Sequence, residues 1–108
     1  VRGQVEGGAL QGLGQAMFET LVYAGEQLAT ATPLTYRLPL ANDLPKRFQS
    51  FVEEHGMGPG PFGSKGIGES SILAVAAALA NAVEDAVGVR ITSLPITPEK
   101  ILCALDSA

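Results

Sequence analysis

The stretch Gly58-Pro59-Gly60-Pro61-Phe62-Gly63-Ser64-Lys65-Gly66-Ile67-Gly68-Glu69 runs straight into Ser70-Ser71-Ile72-Leu73-Ala74-Val75. A glycine-dense loop thus delivers one carboxylate to the threshold of a very apolar segment. Five glycines in twelve residues permit backbone shapes and close approaches that side chains would block. A glutamate facing apolar surroundings there would resist ionisation and could accept or donate a proton. The alternative is a solvated glutamate on a flexible loop. Downstream, Ser70 or Ser71 offers an N-cap for a helix reaching about Val87, with Gly88 as its terminator. Ile72, Val75, Ala76, Leu79, Val83, Ala86 and Val87 share one face, and alanines fill much of the rest, so the helix is expected to be buried nearly all round.

Working outward, Val5, Ala9, Leu13, Ala16, Met17 and Leu21 recur mostly at spacings of three and four, predicting a helix over Gly3–Gly25. Gly7, Gly8, Gly12 and Gly14 are poor helix formers. Their presence calls for another backbone, or a ligand, pressed close. Leu34, Tyr36 and Leu38 alternate within Pro33–Pro39, which reads as a strand. Tyr36, Pro39, Asp43 and Pro45 read as shaping that strand and the turn after it. Arg47–Glu53 and Val89–Leu94 read as two more strands. Thr97-Pro98 opens a last helix anchored by Ile101, Leu102 and Leu105. Three helices and three strands predict a single α+β domain over residues 1–108, a small two-layer unit with helices packed on a short, mostly antiparallel sheet.

The composition narrows the function classes. Hydrophobic residues make up 46% of the 108, enough for a core in a chain this small. The net charge is −4, and among the seven basic residues only Lys46 and Arg47 are adjacent, so no stripe exists to track a phosphate backbone and nucleic acid is excluded as a partner. One cysteine, Cys103, and one histidine, His55, cannot build a structural zinc site. Cys103 reads as a reduced core thiol and His55 as an exposed loop residue. The longest apolar run, Ile72–Val83, is too short to span a bilayer, so no membrane association is expected. Val1-Arg2-Gly3-Gln4 is no initiator region, and the sequence enters its pattern at once, so it reads as a piece of a longer polypeptide.

Two familiar glycine motifs fail on inspection. Gly58 to Gly63 spells G-x-G-x-x-G, but no hydrophobic strand precedes it, two prolines sit inside it and no helix opens on it. The P-loop pattern fails because Ser64-Lys65 follows Gly63 in the wrong order.

Several further segments fall in a telling order. Gly3-Gln4-Val5-Glu6-Gly7-Gly8 opens the chain, and Tyr36-x-x-Pro39-x-x-x-Asp43-x-Pro45 follows. Gly60 to Glu69 comes next, then Ala80-Asn81-Ala82-Val83-Glu84-Asp85-Ala86-Val87-Gly88 and Leu94-Pro95-Ile96-Thr97-Pro98. In this order and spacing the sequence resembles the C-terminal part of the molybdopterin-binding large subunit of the xanthine dehydrogenase/aldehyde oxidase/carbon monoxide dehydrogenase family, over about Gly3 to Leu102. The resemblance implies a molybdopterin cofactor, plain or as its cytosine dinucleotide, and hydroxylation of an aldehyde, an N-heterocycle or a similar carbon with water as the oxygen source. It implies Glu69 as the catalytic base, Gln4 as a cofactor-contacting glutamine, and Gly66, Ile67 and Gly68 as the backbone beside the cofactor. No residue here is implied as a metal ligand. Ser70 departs from the proline that many relatives carry after the glutamate.

The chemistry suits these residue types. A carboxylate in apolar surroundings is matched to taking a proton near neutral pH. Glycines beside it let a cofactor lie against bare backbone, and the cofactor carries the redox step. The resemblance further implies upstream molybdenum-binding domains of the same chain, iron–sulfur and FAD groups in partner domains or subunits, a small-molecule substrate, and a cytoplasmic location. The chain alone is expected neither to bind molybdenum nor to turn over. The competing reading is a stand-alone, non-enzymatic α+β interaction module, with self-association of the chain through exposed apolar surface.

Overall fold

A computed structural model describes residues 1–56 and 58–107. Helix α1 spans Arg2–Met17. It stops eight residues before Gly25, because the run Leu21-Val22-Tyr23 favours extended backbone. Strand β1 (Tyr23–Ala24) pairs antiparallel with β2 (Gln27–Leu28), with Tyr23 opposite Leu28. Gly25, expected to end the helix, instead supplies the positive φ of 63° at the first central position of this tight hairpin turn. Helix α2 covers Val75–Val87 and α3 covers Pro98–Asp106. The unit is α+β, with three α-helices and a short antiparallel sheet among the described residues.

The strands lie elsewhere than the alternating patterns suggested. Among the described residues, Pro33–Pro39, Arg47–Glu53 and Val89–Leu94 form no ladder. In the first segment the Thr32 carbonyl accepts from the amides of Thr35 and Tyr36, at 3.0 and 2.8 Å, and coils the chain into a turn. Leu34 is 97% exposed, so its alternation with Tyr36 and Leu38 marks no buried face. The expected turn at Ala41–Leu44 does form. Asp43 closes it by accepting from the Leu40 amide at 2.9 Å.

Helices α1 and α2 pack directly on each other. A Cβ at Gly12 would sit 2.7 Å from Val75 Cβ, and one at Gly8 would overlap Ser71 Oγ. Gly12 thus serves close helix packing, and Gly8 the close packing of the turn that leads into α2. A second point joins α1 to the C-terminal region, where the Ala16 carbonyl accepts from the Ile96 amide at 2.7 Å. Ile96 belongs to the one hydrophobic cluster among the described residues, with Ala80 and Ile91, flanked by Leu79, Val83, Ile101 and Ala104. Helix α2 ends as its sequence directs, with Gly88 left-handed at φ 79°. Helix α3 opens with Thr97 Oγ1 accepting from the Lys100 amide and Pro98 in the first turn.

Burial is sparse. Among the described hydrophobic residues only Ala16, Ala80, Ile91 and Ile96 are buried. Helix α2 buries Ala80 alone, against the expectation of burial all round, because α1, Ile91 and Ile96 cover one side of it. Cys103 is exposed, not in a core, since α3 packs through Ile101 and Ala104. His55 is exposed as expected and lies 3.2 Å from Glu53 Oε1. A globular chain of 11.1 kDa would expose about 5,700 Å², whereas this one exposes 8327 Å². Its radius of gyration is 17.3 Å, against about 13 Å for a compact domain of this length.

Candidate functional site

The two glycine-rich segments meet. Gln4, in the first turn of α1, donates from Nε2 to the carbonyl oxygen of Gly68 at 3.4 Å, across 64 residues of sequence. Ser71 Oγ donates to the backbone carbonyl of Gln4, also at 3.4 Å. Glu69 lies between these two attachment points. Its own carbonyl accepts from the Ile72 amide at 3.1 Å and starts the turn that leads into α2.

The loop before this point is folded on itself. The Gly58 amide donates to the Gly63 carbonyl at 3.0 Å, and the Gly60 amide to the Ser64 carbonyl at 3.2 Å. A Cβ at Gly58 or Gly63 would run into backbone atoms of the opposite side of the loop. Phe62, at the tip, holds a left-handed φ of 56° and is fully exposed. These glycines therefore serve the loop's own closure.

Gly66 and Gly68 differ. A Cβ at either would meet nothing within 4 Å, and both residues are exposed. Gly66 and Ile67 form part of the wall of a cleft of about 460 Å³, which Lys65, His55, Glu53 and Val1 also line. Among the described residues the Glu69 carboxylate has neither an ion-pair nor a hydrogen-bond partner, and Glu69 is exposed. The apolar enclosure expected around it is not supplied by the described residues, because Ser70–Ala74 form a turn and α2 begins only at Val75.

All five residues singled out in the sequence thus lie along one open wall. Gln4 and Gly68 are joined directly, Glu69 follows, and Gly66 and Ile67 continue into the cleft. Ser71 was read only as a helix cap. It does not cap α2, whose first flanking residue is Ala74 with no side-chain bond; its hydroxyl goes to Gln4. The signal in the sequence was Gly8, one helical turn beyond Gln4, which leaves the room that Ser71 fills.

Chemically, the wall offers one acid/base group, bare peptide groups at Gly66–Gly68, and a glutamine amide with one N–H already used. A flat, polar-edged ring system such as a pterin needs hydrogen-bonding edges that side chains do not obstruct. The unobstructed faces of Gly66 and Gly68 meet that need. The residues present therefore fit one side of such a group. Among the described residues no three His, Cys, Asp or Glu side chains gather as a metal site, and no helix is long and apolar enough to cross a membrane.

Comparison with known proteins places the chain in a family. Residues 1–45 match the family model of the molybdopterin cofactor-binding domain. The chain is 43% identical over 104 residues to the 6-hydroxypseudooxynicotine dehydrogenase complex subunit gamma of Paenarthrobacter nicotinovorans, covering 93% of this chain and 13% of that one. It is 40% identical over 101 residues to the xanthine dehydrogenase molybdenum-binding subunit of Escherichia coli O157:H7, covering 92% of this chain and 13% of that one. Among solved structures, quinoline 2-oxidoreductase from Pseudomonas putida 86 matches with a TM-score of 0.75 and 35% identity, over 96% of this chain and 14% of that one. The chain therefore spans about one-eighth of the length of these relatives.

Proposed function

Because the chain belongs to the molybdopterin-binding subunits of the xanthine dehydrogenase/aldehyde oxidase family, we propose that it forms one wall of a molybdenum hydroxylase active site and that Glu69 is its general base. The wall corresponds to the C-terminal part of the large subunit. The observation that carries the reading is the bond from Gln4 Nε2 to the Gly68 carbonyl. It joins two of the five segments that carry the family resemblance, at the residue before Glu69.

Gln4, Gly66, Ile67 and Gly68 would hold the cofactor's edge, the glycines through peptide groups that no Cβ screens. When bound, the cofactor supplies the two-electron oxidation of a substrate carbon with oxygen drawn from water. Glu69 contributes a carboxylate oxygen that takes up the proton given up by that attacking oxygen. Its freedom from ion pairs keeps it available for this. The enclosure that tunes it comes from elsewhere in the protein, and the exposed surface here supports that. About 2,600 Å² beyond the globular expectation is of the order buried in obligate assemblies. Upstream domains of the same chain would cover it, with iron–sulfur and flavin groups in further domains or subunits receiving the electrons. The substrate is a small molecule oxidised at an aldehyde, N-heterocyclic or similar carbon. With one wall only, the 108-residue chain neither retains molybdenum nor turns over.

The test is Glu69→Gln in the longer parent protein. Molybdenum content should be unchanged and turnover should fall by about 10²–10⁴, the size of a general-base contribution. Near-normal turnover would remove Glu69 from this role. Stoichiometric molybdenum and aldehyde oxidation in the isolated chain would overturn the one-wall reading.

A further inference from the structure

We infer that Ser71, seated in the space left open by Gly8, is a positioning residue for Glu69; the inference rests on the reading of Glu69 as the base. Three contacts define the arrangement. The Gln4 side-chain amide holds the Gly68 carbonyl, on the near side of Glu69. The Ser71 hydroxyl holds the Gln4 backbone carbonyl, on the far side. Between them the Glu69 carbonyl accepts from the Ile72 amide and closes the turn. One residue, Gln4, therefore grips the chain both before and after Glu69, once with its side chain and once with its backbone.

Backbone chemistry allows this double use. The Gln4 carbonyl lies within α1 and has two lone pairs, so it can serve the helix and still accept from Ser71. The hydroxyl reaches it only because position 8 lacks a Cβ, and a Cβ there would overlap Ser71 Oγ and lie 3.1 Å from Ser71 Cβ. One turn further on, the same close approach continues with Gly12 against Val75. The helix contact thus sets the register of the turn, and the turn sets where the carboxylate starts. Both side-chain bonds are long at 3.4 Å, so each contributes modestly. Their value lies in fixing a base on an otherwise exposed segment, since a misplaced catalytic group loses rate without losing binding.

The experiment uses the longer parent protein with Ser71→Ala, Gly8→Ala and the double variant. Three quantities are measured: molybdenum content, kcat and KM separately, and amide hydrogen exchange over residues 68–72 in protein purified without cofactor. Loss of one hydrogen bond in Ser71→Ala should speed exchange and lower kcat by about fivefold each, with KM and molybdenum content unchanged. Gly8→Ala should lower kcat by about tenfold or more, since its methyl displaces the serine. The double variant should recover most of the way to the level of Ser71→Ala, because the overlapping oxygen is gone and only the 3.1 Å contact with the Cβ of residue 71 remains. Unchanged exchange and kcat in Ser71→Ala, with Glu69→Gln inactive, would overturn the positioning role alone. A rise in KM or loss of molybdenum in Ser71→Ala would also overturn it, making Ser71 a binding residue. Near-normal turnover of Glu69→Gln would instead sink the base assignment, whatever Ser71 does.

Discussion

Replacing Gly12 by alanine isolates the contact that brings the two halves of the site together. The added methyl would lie 2.7 Å from Val75 Cβ and 2.8 and 3.2 Å from its two methyl carbons. Carbon atoms pack best at about 3.5–4.0 Å, so α1 and α2 must separate by about 1 Å. Valine in a helix holds essentially one rotamer and cannot swing aside. Overpacking of this kind costs about 1–3 kcal/mol. Against it stands the gain of about 1 kcal/mol from replacing glycine in a helix interior. The net loss is about 0–2 kcal/mol. Gly7→Ala is the matched control in the same helix. A Cβ there meets nothing within 4 Å, so only the propensity gain of about 1 kcal/mol remains. In thermal melts of the 108-residue chain followed by far-ultraviolet circular dichroism, Gly7→Ala should melt higher and Gly12→Ala lower. The midpoints should differ by about 4–8 °C per kcal/mol of difference. Gly12→Ala combined with Val75→Ala should recover part of the loss. Equal shifts for the two single variants would refute the reasoning, since they would mean that α1 does not rest on Val75 through Gly12.

Two other predictions concern the surface. Tyr36 donates to Glu19 Oε2 at 2.6 Å, and that bond, with lesser contributions from desolvation and the carboxylate's charge, raises the phenol's pKa above its usual 10.0. A raised folded-state pKa stabilises below the unfolded value, and that stability is lost as pH rises through the folded pKa. Ultraviolet titration in a Tyr23→Phe background should therefore show ionisation above the free-tyrosine range, moving down in Glu19→Gln; no movement would show that the bond is not made in solution. Cys103 is exposed, so in the isolated chain it should react with a thiol reagent without denaturant as fast as a free cysteine, whereas slow, denaturant-dependent reaction would mean α3 packs through that face.

The parts of the fold that were legible in the sequence are those set by local chemistry. Thr97 followed by Pro98 starts α3, and Gly88 stops α2 in the left-handed conformation. Asp43 closes its turn through its own side chain. The illegible parts depend on a second layer. Alternation at Leu34, Tyr36 and Leu38 predicts a strand only if a neighbouring strand accepts it, and among the described residues none does. Cys103 and the outer side of α2 are apolar in sequence yet exposed, since hydrophobicity does not reveal which surface meets it. At the candidate site, Glu69, Gln4 and the Gly66–Gly68 backbone were proposed from their motifs. The hydroxyl of Ser71 was not, because a serine before a helix reads first as a cap.

The glycines of α1 could not be assigned in the sequence to packing or to a ligand, and the space around each separates them. Gly8 and Gly12 lie one turn apart and face Ser71 and Val75, while Gly14 faces Glu19 and Pro39. Gly3 and Gly7, also one turn apart, meet nothing within 4 Å. The helix thus carries one glycine row pressed against its neighbour and a second row left bare beside Gln4. Gly7, in the helix interior, disfavours the helix by about 1 kcal/mol relative to alanine, and no contact within the described residues offsets that. Gly66 and Gly68, in the loop across the bond from Gln4 Nε2 to the Gly68 carbonyl, likewise meet nothing within 4 Å. Four glycines with no neighbour within 4 Å thus lie in the two segments that Gln4 and Gly68 join. Their lack of side chains suits what approaches the wall from outside, which in the proposed enzyme is the cofactor and the domain that carries the rest of its site.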